Sequence, residues 1–462
     1  MVLNYFEESL IGNGKLPDEW QSQTSLDELA TFLQRNWEQR AVFYNDGLLT
    51  SGQQFLAFNK QKSIRTQNYI GTIVFKGQQL NIFPKVFRTE KNDEDRDGLE
   101  LGHLMKNLVQ WIEYCTKVEY PYISIRSELQ DSTNLRELFV TLYVRYVKNA
   151  LDRGIYHQYE EQTENCSSVK GKVNYKDYFM RKYPNAQMDK FLCTYSTFEF
   201  DNSLNRIIKY TCKELLNNAS KANQKIIRHI LMKLNDVADV RCVPPDCDTI
   251  RLSKLHRHYS IILSMSKMFL LNKTSSYNVD NTESFCFLFP TELLFEGFIG
   301  GFMQSALTGV ANVRLQASDA SLFSDVIFEG RSLGQALKMK HDILVEHKDK
   351  GVFIFDTKYK MVNRFEGSND VRERVTDEVQ SSDIYQVLAY ARTRKLKDVY
   401  LLYPLFRFEE LESNSPIGVN RTVFGDDPIN VHLVRLPFVF EDDVEKTKAN
   451  LRQAILGIFN AI

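Results

Sequence analysis

The sequence predicts a multidomain α/β chain. It divides into a small, mostly β N-terminal module over residues 1–90, a mixed helical and β middle region over 100–280, and a C-terminal α/β domain over 285–462. Three observations predict this. The 462 residues exceed what one hydrophobic core ordinarily fills. Two polar stretches, TEKNDEDRDGL (89–99) and TSSYNVDNTES (274–284), interrupt the apolar patterning as linkers or loops do. The last third runs helix, three strands, helix, strand, the order of a sheet covered on both faces.

In the N-terminal module, SLDELATFLQRNW (25–37) has apolar residues at helical spacing, with Ser25 as the expected N-cap. NYIGTIVFKGQQLNIFPKVF (68–87) reads as two strands joined at Lys76-Gly77. In the middle region, LGHLMKNLVQWIEYC and NLRELFVTLYVRYVKNALDRG carry apolar helical faces, and Gly154 closes the second. SSVKGKVNY and MDKFLCTYSTFEFD read as strand-rich, and SLNRIIKYTCKELL and NQKIIRHILMKLNDV return to helix. A boundary falls near 275–285. Beyond it Pro290 opens a helix, PTELLFEGFIGGFMQSAL. VRLQAS, LKMKHDILVE and GVFIFDTKYK follow as strands, SSDIYQVLAYARTRK as a helix, DVYLLYP as a strand and EKTKANLRQAILGIFNAI as a closing helix.

Composition narrows the function. Apolar residues at 43% and charged residues at 25% give a soluble globular balance. No apolar run reaches the ~18–20 residues needed to span a bilayer. MVLNYFEESLIGNGK lacks the basic start and apolar core of a signal peptide, so an intracellular, cytoplasmic protein is expected. A net charge of −1 gives no bulk attraction to nucleic acid, and any DNA contact must use local basic patches. The seven cysteines are odd in number and include no CxxC pair, which argues against a disulfide framework or a zinc site. CVPPDC (242–247) comes nearest to a ligand pair, and buried thiols are the better reading.

The chemistry concentrates in HDILVEHKDKGVFIFDTKYK (341–360). Asp342 lies on one strand, HKDKG makes a turn, and the apolar run VFIF leads into Asp356-Thr357-Lys358. A continuous apolar run ending in charged residues marks a buried strand emerging at a site. Asp356 and Lys358, two apart, share a face, and a hairpin would bring Asp342 to them. Two carboxylates at one point repel unless a cation lies between them, and oxygen ligands suit Mg²⁺. A lysine alongside can offset charge developing on a phosphate. Taken alone, the Asp356–Lys358 pair also reads as a surface ion pair worth ~0–1 kcal/mol. Glu292 and Glu296 share one helical face, and Gln386 and Tyr390 another. RLSKLHRHY (251–259) reads as a solvated helix face or a phosphate contact. The polar segment 361–382, with Arg372 and Arg374, reads equally as a DNA contact or a loop.

This pattern resembles the PD-(D/E)xK nuclease superfamily. Most of the chain is similar to McrC-type nuclease subunits of McrBC 5-methylcytosine-dependent restriction systems. The likeness rests on YIGTIVFKGQQLNIFPKVF, RGIYHQYEEQTENCSSVKGKVNY, CTYSTFEFDNSLNRIIKY and then, in order, LLFEGFIG, HDILV, FDTKYK and DIYQVLAYA. It implies a C-terminal PD-(D/E)xK restriction-endonuclease-like domain in which Asp342 and Asp356 hold Mg²⁺ and Lys358 assists attack. Glu296 would be the helix carboxylate and third metal ligand, and Gln386 the helix glutamine. His341 stands where the family usually has proline. The resemblance further implies an McrB-like AAA+ GTPase ring as partner, docked through the N-terminal module and stimulated by it, and double-stranded, methylated DNA as substrate. GxxxxGK[ST] is absent, and GNGK (12–15) lacks the spacing of a phosphate loop, so GTP is expected on the partner. Two other readings stand beside this one: a non-cleaving interaction protein that activates a partner NTPase, and a stand-alone nuclease.

Overall fold

The computed structural model describes residues 1–38, 52–89, 100–115, 135–177, 190–253, 256, 258–275, 284–323, 325–329, 331–332, 334–360, 380–407, 417–424, 427–441 and 443–460. They form two compact units, residues 1–135 with 282–462, and residues 136–281. The expected division into three consecutive parts gives way to this one. The N-terminal module and the C-terminal third build a single unit, and the middle region begins some 35 residues later than its helical pattern suggested.

In the first unit a four-stranded sheet has the order β1 (Val2–Phe6), β3 (Gln78–Phe83), β2 (Tyr69–Phe75), β4 (Phe285–Pro290). The β2–β3 hairpin turns at Lys76-Gly77, where φ is 50° and 72°, the left-handed pair that a tight two-residue turn needs. Strand β4 pairs antiparallel with β2, with Leu288 opposite Gly71. At Gly71 φ is 137°, and any Cβ would strike the Phe287 carbonyl, so only glycine lets the C-terminal third close this sheet. The N-terminal helix α1 spans Gln23–Glu38. Ser25 is not its cap. It lies inside the first turn, where its hydroxyl donates to the Glu19 carbonyl, and Ser22 Oγ accepts from the Ser25 amide at 3.1 Å.

Helix α2 (Leu101–Tyr114) also belongs to this unit. Trp111 stacks on Phe438 with ring centroids 4.3 Å apart and donates to the Phe438 carbonyl at 2.8 Å. Asn107 exchanges bonds with Phe440, 3.0 Å to its carbonyl and 2.7 Å from its amide. Amphipathic spacing shows that a helix has a buried face but not which core receives it. Helix α3 (Thr291–Ala306) starts at Pro290 as expected, and its Gly301 makes room for the Tyr114 carbonyl at the end of α2.

The larger sheet has six strands in the order β5 (Ala311–Phe323), β6 (Ala336–His347), β7 (Gly351–Thr357), β8 (Asp398–Leu405), β10 (Asp427–Pro437), β9 (Ile417–Phe424). Strands β7, β8 and β10 run parallel and the remaining pairs antiparallel. Helix α4 (Ser381–Arg394) places Val387, Leu388 and Ala391 in one core with Leu344, Ile354 and Leu401. Helix α5 (Val444–Asn460) brings Phe459 edge-on to Phe353 at 5.0 Å. Ile354 therefore faces α4 while its neighbour Phe353 faces α5, which is why the VFIF run is apolar throughout.

The second unit has helices at Leu135–Arg153, Ser203–Leu216, Lys221–Lys233 and Tyr259–Ser275 and a three-stranded sheet of Gln158–Cys166, Phe191–Glu199 and Lys172–Val173. Gly154 follows the first helix with φ of 140°. Asn202 caps the second, accepting from the Asn205 amide at 3.1 Å. Both asparagines donate to the Tyr156 carbonyl, at 3.1 and 2.8 Å, which joins the RGIYH turn to the NSLNR helix start. His256 sits edge-on to Tyr156, while Lys254 and Arg257 lie outside the described residues, as do Arg372 and Arg374. All seven cysteines are buried thiols, and no described helix is long and apolar enough to cross a membrane.

Candidate active site

Strands β6 and β7 pair with Ile343 opposite Phe355, and continuing this register sets Asp342 opposite Asp356. Asp356 points with Ile354 toward α4 and is 1% exposed. The Lys358 ammonium lies 2.6 Å from Asp356 Oδ2 and donates to Gln386 Oε1 of α4 at 3.1 Å. Gln386 donates in turn to the Tyr390 hydroxyl at 2.7 Å, and Tyr390 donates to the Lys340 carbonyl at 2.9 Å. Asp342 Oδ2 accepts from both the amide and the hydroxyl of Thr357, each at 2.9 Å. The structure thus gathers Asp342, Asp356, Lys358 and Gln386 around the end of one hairpin.

The electrostatics follow from burial. Desolvation, and then the negative charge of Asp342, push the Asp356 carboxyl up to about 7, against the pull of Lys358. Burial alone would lower the Lys358 ammonium, but Asp356, Asp342 and Asp383 together hold it above the usual lysine value. Among the described residues, Asp356 Oδ1 receives no hydrogen bond and Oδ2 meets only the lysine. A buried carboxylate oxygen without a donor is costly unless something else satisfies it. That orphaned oxygen, beside a second carboxylate, fits an oxygen-seeking divalent cation, which ordinarily takes one or two protein carboxylates plus water and substrate oxygens.

Glu296 stands apart from this group. It lines the same cavity, about 1060 Å³, as Asp342, Gln386 and Tyr390, but it accepts a bond from Gln316 Nε2. Among the described residues no three of His, Cys, Asp and Glu come close enough to hold a metal ion together. Gln316 holds a left-handed backbone, φ 51°, next to a bulge in β5 between Ala317 and Ala320, a distortion of the kind that re-aims side chains near sites. His341 is fully buried. Its Nε2 accepts from Arg394 at 3.0 Å and its ring lies edge-on to Tyr390 at 4.4 Å, so it packs against α4 beside the Tyr390–Gln386 chain.

Three neighbours escaped the sequence reading. Asp383 pairs with Lys360 at 2.7 Å and lies 4.0 Å from Lys358. Thr357 holds Asp342. Tyr359, next to Lys358, donates to Glu7 at 2.6 Å. Asp383 stands three residues before Gln386 on the same helix, a spacing that could have flagged it. Nothing in the sequence links Tyr359 to Glu7, 352 residues away.

The family model for the McrBC 5-methylcytosine restriction system component matches residues 64–404. The chain belongs to the McrBC family. No curated protein matches it. Among solved structures, this McrBC-family chain is similar to one in a refined half-complex from a tetradecameric assembly of Thermococcus gammatolerans McrB AAA+ hexamers with bound McrC. The TM-score is 0.62 at 16% identity, covering 99% of this chain and 100% of that one. A chain of the Thermococcus gammatolerans McrBC complex, solved by cryo-EM, aligns with TM-score 0.46 at 17% identity over 66% of this chain and 88% of that one. The McrBC match spans the N-terminal hairpin, the second unit and the β6–β7 site, and it includes Glu296, Asp342, Asp356, Lys358 and Gln386.

Proposed function

We propose that this chain is the Mg²⁺-dependent DNA endonuclease subunit of a GTP-dependent, modification-dependent restriction complex, built on a PD-(D/E)xK centre. It would assemble with an McrB-like AAA+ GTPase ring, stimulate that ring's GTP hydrolysis and cut double-stranded, methylated DNA. The observation that carries this is the buried Asp356 carboxylate, opposite Asp342 and beside Lys358, with an oxygen that no donor among the described residues satisfies. Membership of a restriction-system family supports it, and the lack of a GxxxxGK[ST] motif in this sequence accords with GTP being bound by the partner.

Asp342 and Asp356 would hold the ion, while Glu296 of α3 lines the same cavity farther off. A bound Mg²⁺ supplies Lewis acidity at a phosphodiester. The chain's own groups do the rest. Thr357 fixes the Asp342 carboxylate through two bonds. Gln386 aims the Lys358 ammonium by accepting from it while Tyr390 holds the amide from the other end. Lys358 then sets a positive charge where the phosphate becomes more negative as attack proceeds.

The test mixes the purified chain with its partner ring, GTP, Mg²⁺ and methylated DNA. Wild type cuts and Asp356→Ala does not. If Asp356→Ala cuts as fast as wild type, the assignment is wrong. Partner GTP hydrolysis that rises on addition of the chain, with no cleavage under any condition, selects the non-cleaving activator instead. Cleavage by the chain alone selects the stand-alone nuclease.

A further inference from the structure

Strand β6 offers more than a carboxylate. Lys338 and Lys340, two apart, share one face of the strand, and both line the same cavity as Asp342. Met339 between the lysines is buried in the core with α4. Both lysines are exposed. Among the described residues neither ammonium group has an ion-pair or hydrogen-bond partner, although Glu292 and Glu296 line that cavity too. Those two glutamates accept bonds from Asn68 and Gln316 instead. The strand is also pinned at this point. The Lys340 carbonyl accepts from Tyr390, which is bonded by Gln386, which holds Lys358. Lys340 is thus tied by three hydrogen bonds to the ammonium group of the candidate centre.

We propose that Lys338 and Lys340 form a rail of two phosphate contacts that leads a DNA strand into the site. Lys340 takes the phosphate nearer Asp342 and Lys338 one about two axial steps farther along the same strand. The inference rests on the nuclease reading above. Lysine binds phosphate as a point charge on a flexible stem. Two residues of strand advance roughly 6.7 Å, the length of about two axial steps of one DNA strand at ~3.4 Å each. Such contacts set register on the backbone and read no sequence. In a chain of net charge −1 they supply the local attraction that bulk charge does not.

The test titrates a fluorescein-labelled DNA duplex with the full-length chain in chelator and follows anisotropy over a salt series. The proteins are wild type, Lys338→Gln, Lys340→Gln, the double variant and, as a control, Lys60→Gln, an exposed lysine that does not line the cavity. Each rail variant should weaken binding several-fold for every sequence and reduce the slope of log affinity on log salt by about 0.9. The double variant should lose about twice that, and Lys60→Gln nothing. Arginine at either position should restore the slope, which a merely structural defect would not allow. Unchanged slopes in both single variants, lost binding that arginine does not rescue, or no binding by wild type at low salt would each overturn the rail. Asp356→Ala should keep the wild-type slope. If Asp356→Ala also cuts normally, the nuclease reading fails while the rail is judged on its slopes alone.

Discussion

Glu7 and Asp356 are both buried carboxylates of the first unit, at 0% and 1% exposure, and their surroundings could hardly differ more. Glu7 ends β1. Its Oε1 accepts from the Lys85 amide at 2.8 Å and the Tyr359 hydroxyl at 2.6 Å, and its Oε2 from the Thr291 hydroxyl at 2.8 Å. Asp356, one residue before the end of β7, has one oxygen without a donor among the described residues and the other against a lysine. Burial raises the pKa of both, with Lys85 opposing the rise at Glu7 and Asp342 adding to it at Asp356. The contrast separates structure from function. A carboxylate saturated by the chain's own donors is a joint, here between β1, the start of α3 and the residue after Lys358. A carboxylate with an oxygen that no donor among the described residues satisfies is, on the function proposed above, the one that would take a ligand from outside.

Substitutions can break or sharpen this contrast. The largest effect is expected at Asp356→Asn in the assembled complex. Cutting should fall on the order of 10²–10³-fold. Denaturant unfolding of the isolated chain should meanwhile show a gain of about 0.5–2 kcal/mol, because a carboxylate whose charged form burial and Asp342 disfavour is replaced by a neutral amide. Loss of stability in Asp356→Asn would show that the carboxylate is a second joint. Glu7→Ala should behave in the opposite sense. It strands two hydroxyls and an amide and should cost roughly 2–4 kcal/mol in the same measurement, while the isosteric Glu7→Gln keeps most of the stability.

Added Mg²⁺ offers a third contrast. It should raise the melting temperature of wild type and of Glu7→Gln, by an amount equivalent to about 2.7 kcal/mol at a hundredfold excess over Kd. Asp356→Asn should show little response, and an equal response in all three would place the ion elsewhere. The smallest effect is the pH dependence of Glu7. Its folded pKa lies above the ordinary carboxylate value, so its stabilising contribution is complete below that ordinary value and is lost as pH rises through the folded one. Urea midpoints across this range should fall further for wild type than for Glu7→Gln, and parallel curves would refute the claim.

The amino-acid pattern revealed much of this molecule, and unevenly. The Lys76-Gly77 hairpin, α1, α3, α4 and the β6–β7 pair all follow from local signals, because turn chemistry and apolar period act over a few residues. Strand β10 shows in the alternation of Ile429, Val431 and Leu433. The cap at Ser22 rather than Ser25 shows how a serine two or three residues too late still satisfies the pattern. Helix α2 is plain in the sequence's helical period, but its apolar face does not specify the Phe438 strand end it packs on.

What the sequence determined by itself is the local grammar of the site: an apolar run that must be buried on both faces, an acid and a lysine two residues apart at its end, and an acid on the strand before it. What only the tertiary structure decided is which distant groups complete that site. Gly71 admits β4 to the N-terminal sheet, Glu7 reaches Tyr359 across the chain, and α4 delivers Gln386 and Tyr390 to Lys358. Periodicity fixes which way a side chain faces within its own element, but long-range partners are chosen by packing and by hydrogen-bond satisfaction. Neither of these leaves a mark at any fixed spacing along the chain.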